Sequence, residues 1–106
     1  MTKSIITEYE GYCIICGSPN VERHHGIFGT AGRKKAESFG LVMPLCARHH
    51  NSSSDSVHMH HGMKMLSKQL SQLAYEKNWY KSRSAYDGEG DPAREAFRDL
   101  FGESYL

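Results

Sequence analysis

Long apolar runs are absent from this chain, and its apolar content is low. No stretch approaches the roughly 18 apolar residues of a membrane-spanning helix, and the opening MTKSIITEYEG lacks the apolar core of a signal peptide. Only 39% of the 106 residues are apolar, and the mean hydropathy is −0.59. We therefore expect a soluble, cytoplasmic protein with no membrane partner. Its modest core would benefit from a structural metal.

Cysteine is scarce, and its count of three is odd. An odd count argues against a disulfide framework, whereas a Cys-x-x-Cys pair in a reducing compartment is typical of a metal site or a redox motif. Cys13 and Cys16 form such a pair, and Cys46 and His49 repeat its two-residue spacing. Structural zinc takes four ligands, usually two from each of two such knuckles. The spacing predicts a structural zinc at Cys13, Cys16, Cys46 and His49.

Two other interpretations of the cysteines are weaker. Cys46 could be an ordinary buried cysteine, since free cysteines are often buried, but this leaves the matched spacing unexplained. A thioredoxin-type redox pair would need a βαβ context, which the sequence does not indicate.

Internal repeats are also missing, so we expect one α+β domain over residues 1–106, with a metal-stabilised core at about 10–80. Val21–His25 and Leu41–Leu45 are predicted to pair as a β-hairpin. The glycine-rich segment between them is predicted to be a long, flexible, basic loop. From about Val57 the apolar residues follow a helical period. The predicted core-facing residues of that amphipathic helix are Met63, Leu66, Leu70, Leu73 and Ala74.

A short C-terminal helix is predicted within an extension at about 91–106, after a loop from Ser82 to Gly90. Asp91 is suited to cap its start, Pro92 to its first turn and Gly102 to its end. We expect its apolar residues to pack on the core, namely Phe97, Leu100 and Phe101.

Five of the seven histidines lie between Leu45 and His61, and the other two are His24 and His25. Neighbours on a strand point to opposite faces, so His24 and His25 cannot serve one centre in the same way. If the hairpin ends near the start of the helix, His24 and His50 could hold one cation while His25 acts on a water. An imidazole suits such proton transfer at neutral pH. The alternative is that these are ordinary surface or partly buried histidines.

The last three histidines are less readily assigned. His58 could complete the shell of the cation, and at helical spacing it would share a face with His61. His60 and His61 are interpreted as surface residues or adventitious metal ligands.

Charge is unevenly distributed. The run Arg33-Lys34-Lys35 lies between the predicted strands, and residues 57–83 carry five basic side chains, Lys64 and Lys68 among them, against one carboxylate. Acidic residues dominate after position 83. A solvated surface would account for this pattern, but it is also compatible with a basic face that meets phosphates.

Three motifs together resemble the zinc-stapled branch of the HNH endonucleases: Cys-x-x-Cys, His-His on a strand, and Leu-Cys-x-x-His-His before a helix. That branch has the ββα-metal, treble-clef-like fold. The chain is most similar to small HNH proteins of bacteriophages and prophages. The matching segments are HHGIFG, GRKKAESFGL, LCARHHN and the ending FGESYL.

This resemblance implies a DNA endonuclease acting in the host bacterial cytoplasm. His25 would be the general base, and His24 and His50 would hold one divalent cation (Mg²⁺, Mn²⁺, Ni²⁺ or Zn²⁺), with His58 as a further ligand. The residues implied to bind DNA phosphates are Arg33, Lys34, Lys35, Lys64 and Lys68.

The chain departs from the family at the middle Asn, which positions the base. That Asn should lie five residues before Cys46, where this chain has Leu41. A backbone carbonyl or another side chain would therefore have to orient His25. The departure favours two alternatives. One is a non-catalytic zinc-binding module that docks on nucleic acid or a protein, and the other is a nuclease active only with a recombination or packaging partner.

Overall fold

Two strands and three helices make up the fold, which a computed structural model describes for residues 2–83 and 90–106. Their order is β1 (Glu22–His25), α1 (Thr30–Phe39), β2 (Val42–Leu45), α2 (His61–Ser82) and α3 (Pro92–Phe101). A π-helical turn at Arg48–Ser52 connects β2 towards α2. The α+β class, the hairpin and the following helices are as predicted. Most of the predicted Ser82–Gly90 loop lies outside the described residues. None of the described helices is long and apolar enough to cross a membrane.

The hairpin is antiparallel, with Glu22 opposite Leu45 and His25 opposite Val42. Each strand has four residues and begins one residue later than predicted. Alternation along β1 buries His24, which is 2% exposed, while His25 is half-buried. The two histidines therefore leave the strand in different directions, as expected from the period of a strand.

The prediction of a flexible loop between the strands is wrong, because ten of its residues form α1. The glycines of this segment mostly flank the helix: Gly29 precedes it, and Gly40 ends it with a left-handed backbone at φ 72°. Between them the chain is rich in good helix formers. Ala36 is fully buried and anchors the helix on the core. The basic run Arg33-Lys34-Lys35 therefore lies on a helix and not in a flexible loop.

The long helix is present, but its start and its buried face differ from the prediction. It begins at His61 rather than near Val57. Met63 and Leu70 pack on the core, whereas Leu66 and Leu73 are exposed. The buried residues of α2 are Ser67, Ser71, Gln72, Tyr75 and Glu76.

Hydrogen bonds explain how α2 can bury a mostly polar face. Gln72 Nε2 donates to Glu76 Oε2 at 2.7 Å, and Gln72 Oε1 accepts from the Tyr105 backbone N–H at 2.7 Å. Ser71 Oγ donates to the Ser67 carbonyl at 2.9 Å. Burying a polar group costs little when it is hydrogen-bonded, so apolar periodicity alone did not identify this face.

The C-terminal helix α3 begins and ends as predicted. Asp91 accepts the backbone N–H of Arg94 at 3.1 Å, and Gly102 ends the helix with φ 86°. Phe97 is fully buried, and its ring lies 5.6 Å from that of Tyr75 on α2. The two other apolar residues predicted to pack here, Leu100 and Phe101, are partly buried against the same cluster.

Candidate metal centres

The three cysteines and His49 form one group, here called the cysteine cluster. Their four potential ligand atoms all lie within 4.8 Å of one another. Cys16 Sγ is 3.7 Å from Cys46 Sγ, and His49 Nδ1 is 3.2 Å from Cys46 Sγ. A tetrahedral zinc with Zn–S bonds of about 2.3 Å would hold two sulfur ligands about 3.8 Å apart. The cysteine cluster can therefore hold a metal such as zinc.

Backbone hydrogen bonds bring the first knuckle to the second. The Gly17 N–H donates to the Cys13 carbonyl at 2.8 Å, and Gly17 adopts φ 80°, which other residues rarely do. The Ile14 N–H donates to the Pro44 carbonyl of β2 at 3.0 Å. This bond holds the first knuckle against the strand that leads directly to Cys46.

The environment of Cys13 favours its thiolate. Burial alone raises the pKa of this thiol, but backbone N–H groups of Cys46, Cys16 and Ile15 donate to it and outweigh that effect. Together with His49 they lower the pKa of Cys13 to about 6. The thiolate is the form of cysteine that binds metals, so the local backbone is arranged for metal ligation.

A second group, the histidine cluster, contains His24, His50 and His58. One ring nitrogen from each lies within 4.8 Å of the others. The ring of His24 is 5.2 Å from that of His50 and 5.1 Å from that of His58, centroid to centroid. The rings of His50 and His58 are 4.9 Å apart. The structure thus brings together the three histidines that the sequence grouped around one cation.

Ser67 fixes the ring of His24. The Ser67 hydroxyl donates to the Gly26 carbonyl at 2.9 Å, so at 2.8 Å from His24 Nε2 it acts as acceptor of the ring N–H. That leaves His24 Nδ1 with a free lone pair. Burial, reinforced by the charges of His50 and His58, lowers the pKa of His24 to about 3. The ring is neutral at pH 7, as a metal ligand must be.

Gly26 is what lets α2 approach the end of β1 so closely. A Cβ at this position would lie 1.7 Å from Ser71 Oγ and 3.0 Å from Ser71 Cβ. The Gly26 N–H also donates to the Leu41 carbonyl at 2.8 Å. This hydrogen bond holds the Gly26 backbone in place beside Ser71. The absence of a side chain here allows Ser67 to reach His24.

His50 has a carboxylate partner. Its Nδ1 is 2.9 Å from Glu22 Oε1, and donation of the N–H to this acceptor leaves Nε2 available to a metal. Histidines that bind metals usually donate their other ring N–H in this way. The arrangement of His24 with Ser67 and of His50 with Glu22 follows that pattern.

Backbone contacts, rather than a helix, position His58. Its N–H donates to the His50 carbonyl at 3.2 Å, and the Val57 N–H donates to the His49 carbonyl at 2.8 Å. His58 precedes α2, so the expectation that it shares a helix face with His61 is wrong. Burial, with the charges of His50 and Lys64, lowers the pKa of His58.

His25 lies outside both clusters but follows His24 directly. Its side chain is 21% exposed, and its Nε2 is 3.1 Å from Glu37 Oε1. Leu41, the position at which the resemblance to HNH endonucleases predicts an Asn, is fully buried in the apolar core. Among the described residues, Glu37 on α1 supplies the side-chain hydrogen bond to His25.

The two remaining histidines lie at the start of α2. His60 caps this helix, because its Nδ1 accepts the Met63 N–H at 3.3 Å. His61 is exposed at the first position of the helix. Neither belongs to either cluster of the described residues.

Of the five predicted phosphate-binding residues, two lie close to the histidine cluster. Lys68 Nζ is 5.2 Å from the centre of the Phe28 ring, and that ring is 5.0 Å from His58. Lys64 is near enough for its charge to lower the pKa of His58. On α1, Arg33, Lys34 and Lys35 are exposed, and Lys35 Nζ donates to the Leu100 carbonyl of α3.

Three partners of the histidines were not foreseen from the sequence, namely Glu22, Glu37 and Ser67. Glu22 could have been found from the sequence, because residues two apart on a strand point to the same face. Glu22 and His24 are two apart on β1, so Glu22 lies on the face where His24 meets His50. Ser67 and Glu37 carry no such signal, because each lies on a helix far along the chain from its histidine.

Comparison with known proteins identifies no relative. The chain matches no protein-family model, and neither a curated protein nor a solved structure matches it. The geometry of the two clusters and of His25 is therefore the basis for inferring a function.

Proposed function

We propose that this protein is a metal-dependent endonuclease of the HNH type that hydrolyses DNA phosphodiester bonds. The observation that carries the proposal is the convergence of His24, His50 and His58 beside the cysteine cluster. In this proposal zinc at the cysteine cluster supports the fold, and a second cation at the histidine cluster takes part in catalysis.

The histidine cluster fits a divalent cation by its chemistry. His24 and His50 each have their second ring nitrogen bonded, to Ser67 and Glu22, so each offers a neutral nitrogen lone pair. A bound divalent cation supplies Lewis-acid stabilisation of charge on the phosphate and on the departing oxygen. Imidazole donors suit nickel and zinc, whereas magnesium prefers oxygen ligands. Among the cations implied by the resemblance, Ni²⁺ and Zn²⁺ are therefore the better fit and Mg²⁺ the poorer one.

His25 is assigned as the general base. It takes a proton from water while the water oxygen forms a bond to phosphorus. The P–O3′ bond breaks, the electron pair leaves with the 3′ oxygen, and protonation of that oxygen gives a 3′-hydroxyl and a 5′-phosphate. A general base of this kind contributes a factor of about 10² to 10⁴ in rate.

Basic side chains near the cluster would hold the DNA backbone. The charge of Lys64 acts on His58, Lys68 lies over the Phe28 ring that contacts His58, and Arg33 and Lys34 are exposed on α1. Contacts of lysine and arginine with phosphates give affinity that weakens with salt and carries no sequence information. We therefore propose that contacts with backbone phosphates contribute to DNA binding.

One observation favours a second candidate function. Leu41 is fully buried where the family has the Asn that positions the base. A protein that had lost catalysis could keep the zinc-stabilised scaffold as a module that docks on nucleic acid or on a protein. A nuclease that acts only with a recombination or packaging protein is an intermediate case.

Plasmid nicking tests the proposal. Zinc-loaded wild-type protein is incubated with supercoiled plasmid and Ni²⁺, Mn²⁺ or Mg²⁺, beside His25→Ala and the matched control His61→Ala. We expect wild type and His61→Ala to nick equally and His25→Ala to lose about 10²-fold or more of the rate. Equal nicking by His25→Ala would exclude His25 as the base. No nicking by any protein with any of the cations would contradict an endonuclease that acts alone, and would favour the docking module or the partner-dependent nuclease.

A further inference from the structure

The carboxylate of Glu37 is held in place by several donors. Arg23 Nε donates to Oε1 at 3.1 Å, and Arg23 Nη2 donates to Oε2 at 2.6 Å. The backbone N–H of Thr2 donates to Oε2 at 3.0 Å. His25 Nε2 lies 3.1 Å from Oε1, the oxygen that also accepts from Arg23 Nε. Both carboxylate oxygens of Glu37 are therefore held by donors other than His25.

The fold explains why these groups meet. Arg23 and His25 are two residues apart on β1, so their side chains leave the same face of the strand. The helix α1 lies between the two strands in the sequence, and it places Glu37 against that face. The hydrogen bonds of Arg23 lower the pKa of Glu37 to about 2, so the carboxylate is ionised and accepts hydrogen bonds at neutral pH.

We propose that Glu37, clamped by Arg23, is the positioning residue for His25 and takes the place of the family's Asn at Leu41. An ionised carboxylate can only accept, so the proton on His25 must be on Nε2, and Nδ1 is left with the free lone pair. Glu37 thus selects the ring nitrogen that takes the proton from water, and it holds the plane of the ring. A base oriented by a third group is a recurring arrangement in nucleophilic and hydrolytic sites.

This inference rests on the proposed function, since it assigns a role to Glu37 through His25. The bond to His25 itself can be tested without activity. The alternative is that Glu37 and Arg23 form an ion pair that only supports the fold. In that case removal of Glu37 lowers stability but changes neither the His25 tautomer nor the rate per folded molecule.

The first test is an NMR measurement of the ring nitrogens of His25 in the ¹⁵N-labelled, zinc-loaded protein. The tautomer is read from the two nitrogen shifts at a pH above which those shifts no longer change, so that the ring is neutral. We expect His25 in wild type to carry its proton on Nε2, and Glu37→Leu to give a mixture of tautomers. Glu10→Gln is the matched control, because Glu10 lies 3.8 Å from Arg23 and should leave the tautomer unchanged. A wild-type ring protonated on Nδ1, or no change in Glu37→Leu, would overturn the proposal.

The second test is the nicking rate. A general base contributes about 10² to 10⁴ in rate, so we expect Glu37→Leu to lose at most that factor from kcat, with little change in KM for plasmid. Glu37→Asp should recover part of the loss, because it keeps the carboxylate. If wild type nicks, His25→Ala does not, and Glu37→Leu matches wild type, the positioning role is wrong while the endonuclease stands. If the tautomer depends on Glu37 but wild type does not nick, an endonuclease that acts alone is wrong while the orientation of His25 by Glu37 stands.

Discussion

His49 and His50 are adjacent in the chain, yet their side chains lie in different clusters. His49 Nδ1 is 3.2 Å from Cys46 Sγ, whereas the His50 ring is 4.9 Å from that of His58. Both residues lie in the π-helical turn Arg48–Ser52. Such turns are rare and often occur at functional sites. A single turn of backbone therefore contributes to both candidate metal centres.

Loss of one ligand from the cysteine cluster should unfold the protein. We expect Cys13→Ser to purify with less than one zinc per chain and to lose its cooperative thermal transition, because structural zinc supplies about 10–16 kcal/mol in small zinc domains. Zinc content by mass spectrometry and melting by circular dichroism measure the two effects. His61→Ala, whose side chain is exposed, is the control and should behave as wild type. A Cys13→Ser protein that melts like wild type would show that the cluster does not hold a structural metal.

The bond between Ser67 and His24 should matter for both stability and cation binding. Ser67→Ala leaves the buried His24 Nε2–H without its acceptor, which costs about 1–3 kcal/mol. It also frees the ring to rotate, so Ni²⁺ affinity should fall about 10- to 100-fold. Urea denaturation and calorimetric titration with Ni²⁺ provide the measurements, with Ser38→Ala on the surface of α1 as control. Wild-type values for both quantities in Ser67→Ala would refute the assigned role.

The close approach at Gly26 gives a prediction about packing. Gly26→Ala would place a methyl group against Ser71, and the resulting overpacking should lower the free energy of unfolding by about 1–3 kcal/mol. Gly11→Ala is the matched control, since a Cβ at Gly11 meets nothing within 4 Å. Replacing Ser71 by Ala in the Gly26→Ala background removes the nearest atom and should recover part of the loss. Equal stability of the Gly26 and Gly11 variants would contradict the packing of α2 on β1.

Glu37 should contribute to stability in a pH-dependent way. Its pKa falls from an ordinary 4.5 to about 2 because Arg23 donates to the ionised form. A lowered carboxylate pKa stabilises the folded state above about pH 4.5, and this contribution is lost as the pH falls towards about 2. The gap in Tm between wild type and Glu37→Gln should therefore shrink as the pH falls from about 5 towards 2. Acid also weakens zinc binding in both proteins, so the gap between the two curves is the informative quantity. A gap that widens in acid would contradict the ion pair.

Local spacing made part of the structure predictable from the sequence. The matched knuckles at Cys13–Cys16 and Cys46–His49, the hairpin and the caps of α3 all follow rules that operate over a few residues. The grouping of His24 with His50 depended on one further step, the return of the hairpin towards the second knuckle. Because each strand has only four residues, the hairpin returns to the second knuckle over a short distance.

The parts that were missed depend on contacts between distant segments. The buried face of α2 is polar because Ser67 and Gln72 find partners elsewhere in the chain, which helical periodicity cannot indicate. The sequence predicts a loop where α1 lies, because glycines surround a short run of helix formers. Without α1 in the prediction, the contact between Glu37 and His25 could not be foreseen.

His49 and His50 place two candidate metal centres next to each other. The most direct measurement is a crystal structure of zinc-loaded protein soaked in Ni²⁺, with anomalous diffraction recorded at the zinc and nickel edges. We predict a zinc signal among Cys13, Cys16, Cys46 and His49 and a separate nickel signal among His24, His50 and His58. A crystal with zinc in the cysteine cluster and no metal at the three histidines would contradict the existence of a second metal centre.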